Sequence, residues 1–283
     1  MDDRDGHPDL PSRRAGGAGL SRRRVPERLP GLVDSHAHLQ HARFDVDRDD
    51  VIARALEAGI ERICVPGWDV PSSEAALDLA SRRSGVIDAG VGVHPHHAAE
   101  MDERAWARIE SLVSDSRTRA VGEIGLDFYR NLSPPEVQRE ALSRQLALAA
   151  ARDLPVLVHD RDAHEAAEEA LLAWGGRGVL HAFSGDAEMA RRLVGAGFVV
   201  SFALPVAFGS ATGPRAAAAA LRDGAFLVET DSPYLGPDAA GRNEPTTALR
   251  VIAELGRLRG VDPEALVAPM RAAYNELIGP ASL

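Results

Sequence analysis

Val33-Asp34-Ser35-His36-Ala37-His38-Leu39 is an apolar run that ends in two histidines one residue apart. In an extended strand, side chains two apart point the same way, so His36 and His38 can present two imidazole nitrogens to one point. A lone histidine among apolar neighbours is usually a satisfied core residue. The decision therefore rests on whether other chain segments end in the same manner.

They do. Short, nearly continuous apolar runs occur at 31–34, 62–66, 86–93, 120–124, 155–159, 178–181, 198–202 and 225–229. Runs apolar throughout suit strands covered on both faces. Amphipathic stretches with helical spacing separate them, at 47–58, 72–83, 133–154, 162–174, 187–194 and 246–258. The third of these is expected to open with Ser133 as N-cap and a proline at its first position. Eight strand-then-helix units after residue 30 predict an α/β fold of the closed (β/α)8 TIM-barrel type, in one domain over 31–283. The alternative, an open doubly wound sheet, would ordinarily show a glycine-rich phosphate loop after its first strand, and the sequence has none.

The polar residues fall at strand ends: His36 and His38 after the first, Glu123 and Asp127 at the fourth, His159 at the fifth, His181 at the sixth and Asp231 after the eighth. In a parallel barrel all these ends open on one face, which carries the active site. Burying four imidazoles there without partners would cost free energy, and a metal centre removes that cost. Six ligands (His36, His38, Glu123, His159, His181, Asp231) exceed what one open zinc site uses and suit two divalent ions that share a bridge. All 32 basic residues are arginine. A carbamylated lysine therefore cannot be the bridge, and Glu123, in the middle of the series, is the natural substitute. Histidine donors allow Zn²⁺, Mn²⁺, Co²⁺ or Ni²⁺, and carboxylates with a phosphate substrate allow Mg²⁺.

Bulk properties narrow the partners. The 283 residues carry a formal charge of -10, with 45% hydrophobic and 26% charged residues. That is ordinary for a soluble globular protein, and it argues against broad attraction to nucleic acid or anionic membrane. No apolar segment approaches the ~18 residues of a membrane span. The single cysteine, Cys64, lies in an apolar run and reads as a buried structural thiol. Residues 1–30, rich in Arg, Gly, Pro and Asp, read as a disordered tail. Their paired arginines lack the apolar stretch of an export signal.

The ordered motifs DSHAHL (34–39), GVHPH (92–96), GEIGLDFYR (122–130), PVLVHDR (155–161), HAFSG (181–185), ETDSP (229–233) and RNEP (242–245) resemble the TatD family of metal-dependent deoxyribonucleases, among the amidohydrolase-like barrels. The similarity runs from about residue 32 to 275. It implies a divalent-metal phosphodiesterase that acts on DNA, with 3′-end exonuclease activity on single strands. By the same resemblance, His36, His38, Glu123 and Asp231 hold one ion, and Glu123, His159 and His181 the other. Asp231 also orients or deprotonates the attacking water, and His94 contacts the substrate phosphate. The family's use of Mg²⁺ makes that ion the working choice for turnover. The chain departs from the family at Ala37, often cysteine, and Gln40, often aspartate.

Arg130 and Arg161 follow motif strands and are candidate bidentate phosphate contacts. Asp127 and Ser232 are candidates for orienting ligands. An acidic chain should recognise a strand end entering the pocket and bind duplex DNA weakly without metal. A cytoplasmic monomer is expected. A deacylase or amidohydrolase using the same centre, for example on aminoacyl-tRNA, an RNase, and a non-catalytic binding protein are the other readings.

Overall fold

The computed structural model describes residues 25–238 and 241–281. The expected disorder of the tail falls, for residues 1–24, outside the described residues. The packed chain begins ahead of residue 31, because Leu29 is buried and its N–H donates to the Ala58 carbonyl at 2.9 Å.

Eight strands form one parallel sheet in sequence order: β1 Leu32–Asp34, β2 Ile60–Pro66, β3 Ile87–Val91, β4 Thr118–Asp127, β5 Val156–Arg161, β6 Gly178–Leu180, β7 Phe198–Phe202 and β8 Phe226–Val228. Each strand pairs in parallel with the next, from Leu32 against Ile60 round to Phe202 against Val228. The first and last strands meet where Ser35 N–H donates to the Val228 carbonyl at 3.0 Å, and beyond it Ala37 bridges Ser232. The expected TIM barrel is thus the observed fold. β1, β3, β6 and β8 are buried at every position, which is why their sequences lack a polar alternation.

Helices surround the sheet: α1 Arg48–Glu57, α2 Val70–Arg82, α3 Glu103–Val113, α4 Pro135–Arg152, α5 His164–Trp174, α6 Ala187–Gly195, α7 Thr212–Ala220, α8 Ala248–Arg259 and α9 Pro263–Ile278. α4 corrects one sequence expectation. Pro134, not Ser133, holds its N-cap place. The Ser133 hydroxyl serves the loop after β3 instead, donating to the His96 carbonyl at 3.1 Å and accepting from Ala99 N–H at 3.0 Å.

Two buried amides on α4 pin the strand ends that carry the site. Gln138 accepts from Asp127 N–H at 2.8 Å and donates to the Asp127 carbonyl at 3.0 Å. Gln145 accepts from Val93 N–H at 2.7 Å and donates to the Val93 carbonyl at 3.1 Å. At Gly125, φ is +136° and an added Cβ would lie 1.9 Å from the His159 carbonyl oxygen. Only glycine lets β4 approach β5 this closely, and that approach sets His159 beside Glu123.

Under the barrel, Arg62 donates to Asp88 at 2.7 Å and to Asn275 at 2.6 Å, and the Tyr274 hydroxyl donates to Asp88 at 2.8 Å. This buried network fastens α9 to the strands. Cys64 is buried beside it, and burial pushes its thiol well above the reactive range, as expected of a structural cysteine. Among the described residues, no helix is long and apolar enough to cross a membrane.

Candidate metal centre

The six residues expected to hold metal converge at the carboxyl ends of the strands, all 4% exposed or less. Glu123 lies at their centre, and each of its carboxylate oxygens forms the corner of a separate triangle. Oε2 is 3.3 Å from His36 Nε2 and 3.3 Å from His38 Nε2, and those two nitrogens are 3.3 Å apart. Asp231 Oδ1 stands over this triangle, 3.4 Å from His38 Nε2 and 3.9 Å from His36 Nε2. Oε1 is 3.2 Å from His159 Nδ1 and 2.9 Å from His181 Nε2, and those nitrogens are 3.2 Å apart.

The spacing is what metal ligands require. Tetrahedral bonds of about 2.0–2.1 Å place neighbouring donor atoms about 3.3 Å apart. Tautomers point the same way, because a ring nitrogen that donates a proton leaves the other with a lone pair. His38 Nδ1 lies 3.3 Å from the Pro66 carbonyl, an acceptor only, so Nε2 faces inward unprotonated in the neutral ring. His159 Nε2 lies 3.2 Å from Asp127 Oδ2, which leaves Nδ1 inward. His181 Nδ1 lies 3.4 Å from Glu229 Oε1. In neutral rings these inward lone pairs face one another, so a metal ion, or a proton in its place, must lie between them. His36 Nδ1 and Glu123 Oε1 are buried with no hydrogen-bond partner, a cost that ligation of Glu123 would offset. The donor set therefore fits divalent metal.

The electrostatics agree. Burial alone would raise the Glu123 carboxyl, but the charges of His181, His94 and His36 outweigh it and hold Glu123 well below the usual carboxylate range. Burial also depresses the His38 imidazole, yet hydrogen bonds to Asp231 and Glu123 win and lift it to about 9. Burial lowers His36, with the His181 charge adding to it. Such opposed shifts within one cluster are typical of functional sites.

His94, expected to contact substrate, joins the rim of the second triangle, its Nε2 3.4 Å from Glu123 Oε1. Its Nδ1 accepts from His96 N–H at 3.1 Å, so the neutral ring carries its proton on Nε2. His94 in that form is a donor rather than a ligand. Asp127 lies against a ring of the centre: Oδ2 meets His159 Nε2 at 3.2 Å and His96 Nε2 at 2.7 Å, while Oδ1 accepts from Arg130 N–H at 2.7 Å. Ser232 acts through its main chain, its carbonyl accepting from His38 N–H at 2.6 Å. Arg130 meets Asp127 through its backbone, and the Arg161 guanidinium stacks 3.9 Å over the Tyr129 ring. Gln40 donates to the same Pro66 carbonyl at 2.6 Å, so the residue that departs from the family still steadies the partner of His38.

Sequence reasoning missed Glu229 and left Asp34 without a role. Buried Glu229 accepts from Ala182 N–H at 2.6 Å and from the Ser201 hydroxyl, and so stands fixed behind His181. The signal was its place two residues before Asp231, the same alternation that marks His36 and His38. Asp34 lies outside the triangles. It accepts from Thr230 N–H at 3.0 Å and the Thr230 hydroxyl at 2.6 Å, joining the first strand end to the last.

Known proteins resemble this chain in sequence and in fold. Residues 33–279 match the family of TatD related DNases. The chain is 36% identical over 233 residues to the uncharacterized metal-dependent hydrolase YabD of Bacillus subtilis, covering 81% of this chain and 91% of the relative. It is 35% identical over 251 residues to the 3′-5′ ssDNA/RNA exonuclease TatD of Erwinia billingiae, covering 83% and 94%. The crystal structure of the Escherichia coli TatD homolog YJJV superposes with a TM-score of 0.82 at 27% identity, covering 88% of this chain and 98% of that one. The chain belongs to the TatD related DNase family and is a hydrolase.

Proposed function

We propose that this chain hydrolyses phosphodiester bonds at the 3′ ends of single-stranded DNA, and of RNA, with two divalent ions held on either side of Glu123, as a cytoplasmic monomer. The observation that carries the reading is the pair of triangles sharing that one carboxylate. The nucleic-acid substrate is drawn from relatives named for ssDNA/RNA exonuclease activity.

In this reading His36, His38, Glu123 and Asp231 hold one ion and Glu123, His159 and His181 the other. Bound divalent ions supply Lewis acidity to the phosphoryl group and to water, with Mg²⁺ our choice for turnover. The protein's own groups do the rest. Asp231, with a positive φ of 53°, projects its carboxylate over the first triangle, where it takes a proton from the attacking water. His94 Nε2–H donates to a phosphoryl oxygen as negative charge grows there. Asp127 holds the ring of His159 and the Glu229 carboxylate lies behind that of His181, so that little reorganisation accompanies the reaction. Arg130 and Arg161 meet the phosphates that follow along the strand.

The test uses protein stripped of metal and reloaded with Mg²⁺ or Mn²⁺. Its substrates are 5′-labelled DNA and RNA oligonucleotides, run beside a panel of carboxylic esters and amides. A ladder shortening from the 3′ end, abolished by Glu123→Ala and by Asp231→Ala, is expected. Rapid ester or amide hydrolysis with intact oligonucleotides would overturn the reading in favour of a deacylase.

A further inference from the structure

We infer that Trp68 and Tyr234 form a stacking platform for nucleobases at the mouth of the centre, and that single-strand selectivity arises there. The inference rests on the nuclease reading above and names what holds its substrate.

The two side chains belong to loops on opposite sides of β1, after β2 and after β8. Each ring packs against the candidate ligand His38, with centroids 5.2 Å away for Trp68 and 5.9 Å for Tyr234. His41 joins them, 5.9 Å from Trp68 and 5.8 Å from Tyr234. The result is a continuous aromatic ridge, half-buried, that reaches solvent directly beside the reacting centre.

The ridge is preset. Trp68 N–H donates to the Ser72 hydroxyl at 2.8 Å, and its carbonyl accepts from His94 N–H at 2.9 Å. Tyr234 N–H donates to the Asp231 carbonyl at 2.7 Å, and its carbonyl accepts from the Asn243 amide at 2.7 Å. Both loops are thereby tied to residues around the centre. Rigid aromatic surfaces lose little entropy when they bind a flat partner.

Three further observations select a base as that partner. The pocket over Glu123 is lined by Trp68 and Tyr234 together with His38, His94, His96 and His97. A phosphoryl group held at Glu123 therefore has its neighbouring base against these two aromatic rings. The chain's charge of -10 denies it a long electrostatic track, so local contacts that are not ionic must supply part of the affinity. Stacking supplies about 1–3 kcal/mol per base for any sequence, since every base has a π-face. Bases inside a duplex already stack on each other and cannot also lie on this ridge. Unpaired ends can.

The experiment compares two 5′-labelled DNA strands with the Mg²⁺-loaded full chain: one normal, one whose last two 3′ residues are abasic. The wild type should cleave the normal strand with kcat/KM at least about fivefold above the abasic one, the equivalent of 1 kcal/mol. In Trp68→Ala and in Tyr234→Ala this ratio should fall towards one, chiefly through KM, and Trp68→Phe should keep it. A variant that merely folds poorly lowers both rates and leaves the ratio alone. An unchanged ratio in both alanine variants, or a wild type that cleaves the two strands equally, overturns the platform and leaves the nuclease standing. Failure of the wild type to cleave either strand, with ester hydrolysis intact, overturns the nuclease reading itself.

Discussion

Replacing Asp127 by asparagine tests the tautomer logic of the centre without changing its shape. Asp127 Oδ1 accepts from Arg130 N–H at 2.7 Å, and Oδ2 faces His159 Nε2 at 3.2 Å and His96 Nε2 at 2.7 Å. The asparagine oxygen must take the Oδ1 place, because an NH₂ group there would oppose the Arg130 donor. The NH₂ then faces His159 Nε2 and can only donate to it. His159 responds by moving its proton to Nδ1, the nitrogen that points at Glu123, and its lone pair is lost to the ion. Loss of such a partner typically lowers metal affinity 10–100-fold, about 1.4–2.8 kcal/mol. At a metal concentration 100 times the wild-type Kd, binding stabilises the wild type by about 2.7 kcal/mol. The same concentration should stabilise Asp127→Asn by only about 1.4 to 0.4 kcal/mol, from RT ln(1 + [L]/Kd). Urea melts with and without Mn²⁺, paired with calorimetric titration, measure both numbers. A variant Kd within twofold of wild type would refute the assignment of His159 and the role of Asp127 together.

Asp88→Ala strips Arg62 of its buried partner and Tyr274 of its acceptor, and should cost about 3–5 kcal/mol in urea unfolding while activity per folded molecule persists; a cost under 1 kcal/mol would contradict the network's role. Gly125→Ala forces a side chain into a backbone of φ +136° against the His159 carbonyl, and should destabilise by at least about 1–3 kcal/mol and weaken metal binding with it, as read by melting and titration. In metal-free protein the His38 imidazole is lifted to about 9, above its ordinary value near 6.5. Its stabilising contribution is therefore complete below pH 6.5 and lost as the pH rises to 9, so the chelated protein should show a falling Tm across that window. Metal must displace the same proton. Binding at pH 7 should release it, and titration enthalpies should vary with the buffer's ionisation heat; buffer-independent enthalpies would argue against a protonated His38.

Much of the barrel is legible because strands covered on both faces leave unbroken apolar runs, and all eight expected runs overlap observed strands. Helices were harder. The stretch at 212–220 is largely alanine, with no apolar stripe to separate a core face from a solvent face, and the sequence reading passes over α7. It also passes over α3, although Trp106, Ile109 and Leu112 are spaced as in a helix, and over α9, which lies beyond the eighth strand unit.

At the centre, strand alternation exposed His36 and His38, yet the same alternation cannot rank Glu229 against Asp231. Both face inward from one strand end. Which of them approaches Glu123 and which stands behind His181 depends on β6 and β7, far away in sequence. Trp68 carries no local signal either, since a tryptophan in a loop reads as an ordinary surface residue until its neighbours from other loops are known.

The join between the first and last strands has a consequence for how the molecule is made. His36 and His38 emerge near the start of the chain, whereas Asp231 lies nearly two hundred residues later, and Asp34 and Thr230 clasp the two ends together. A growing polypeptide still on the ribosome owns only part of this constellation. Hydrolytic competence should therefore arrive only when the closing strand docks, and a chain abandoned short of that point should lack it.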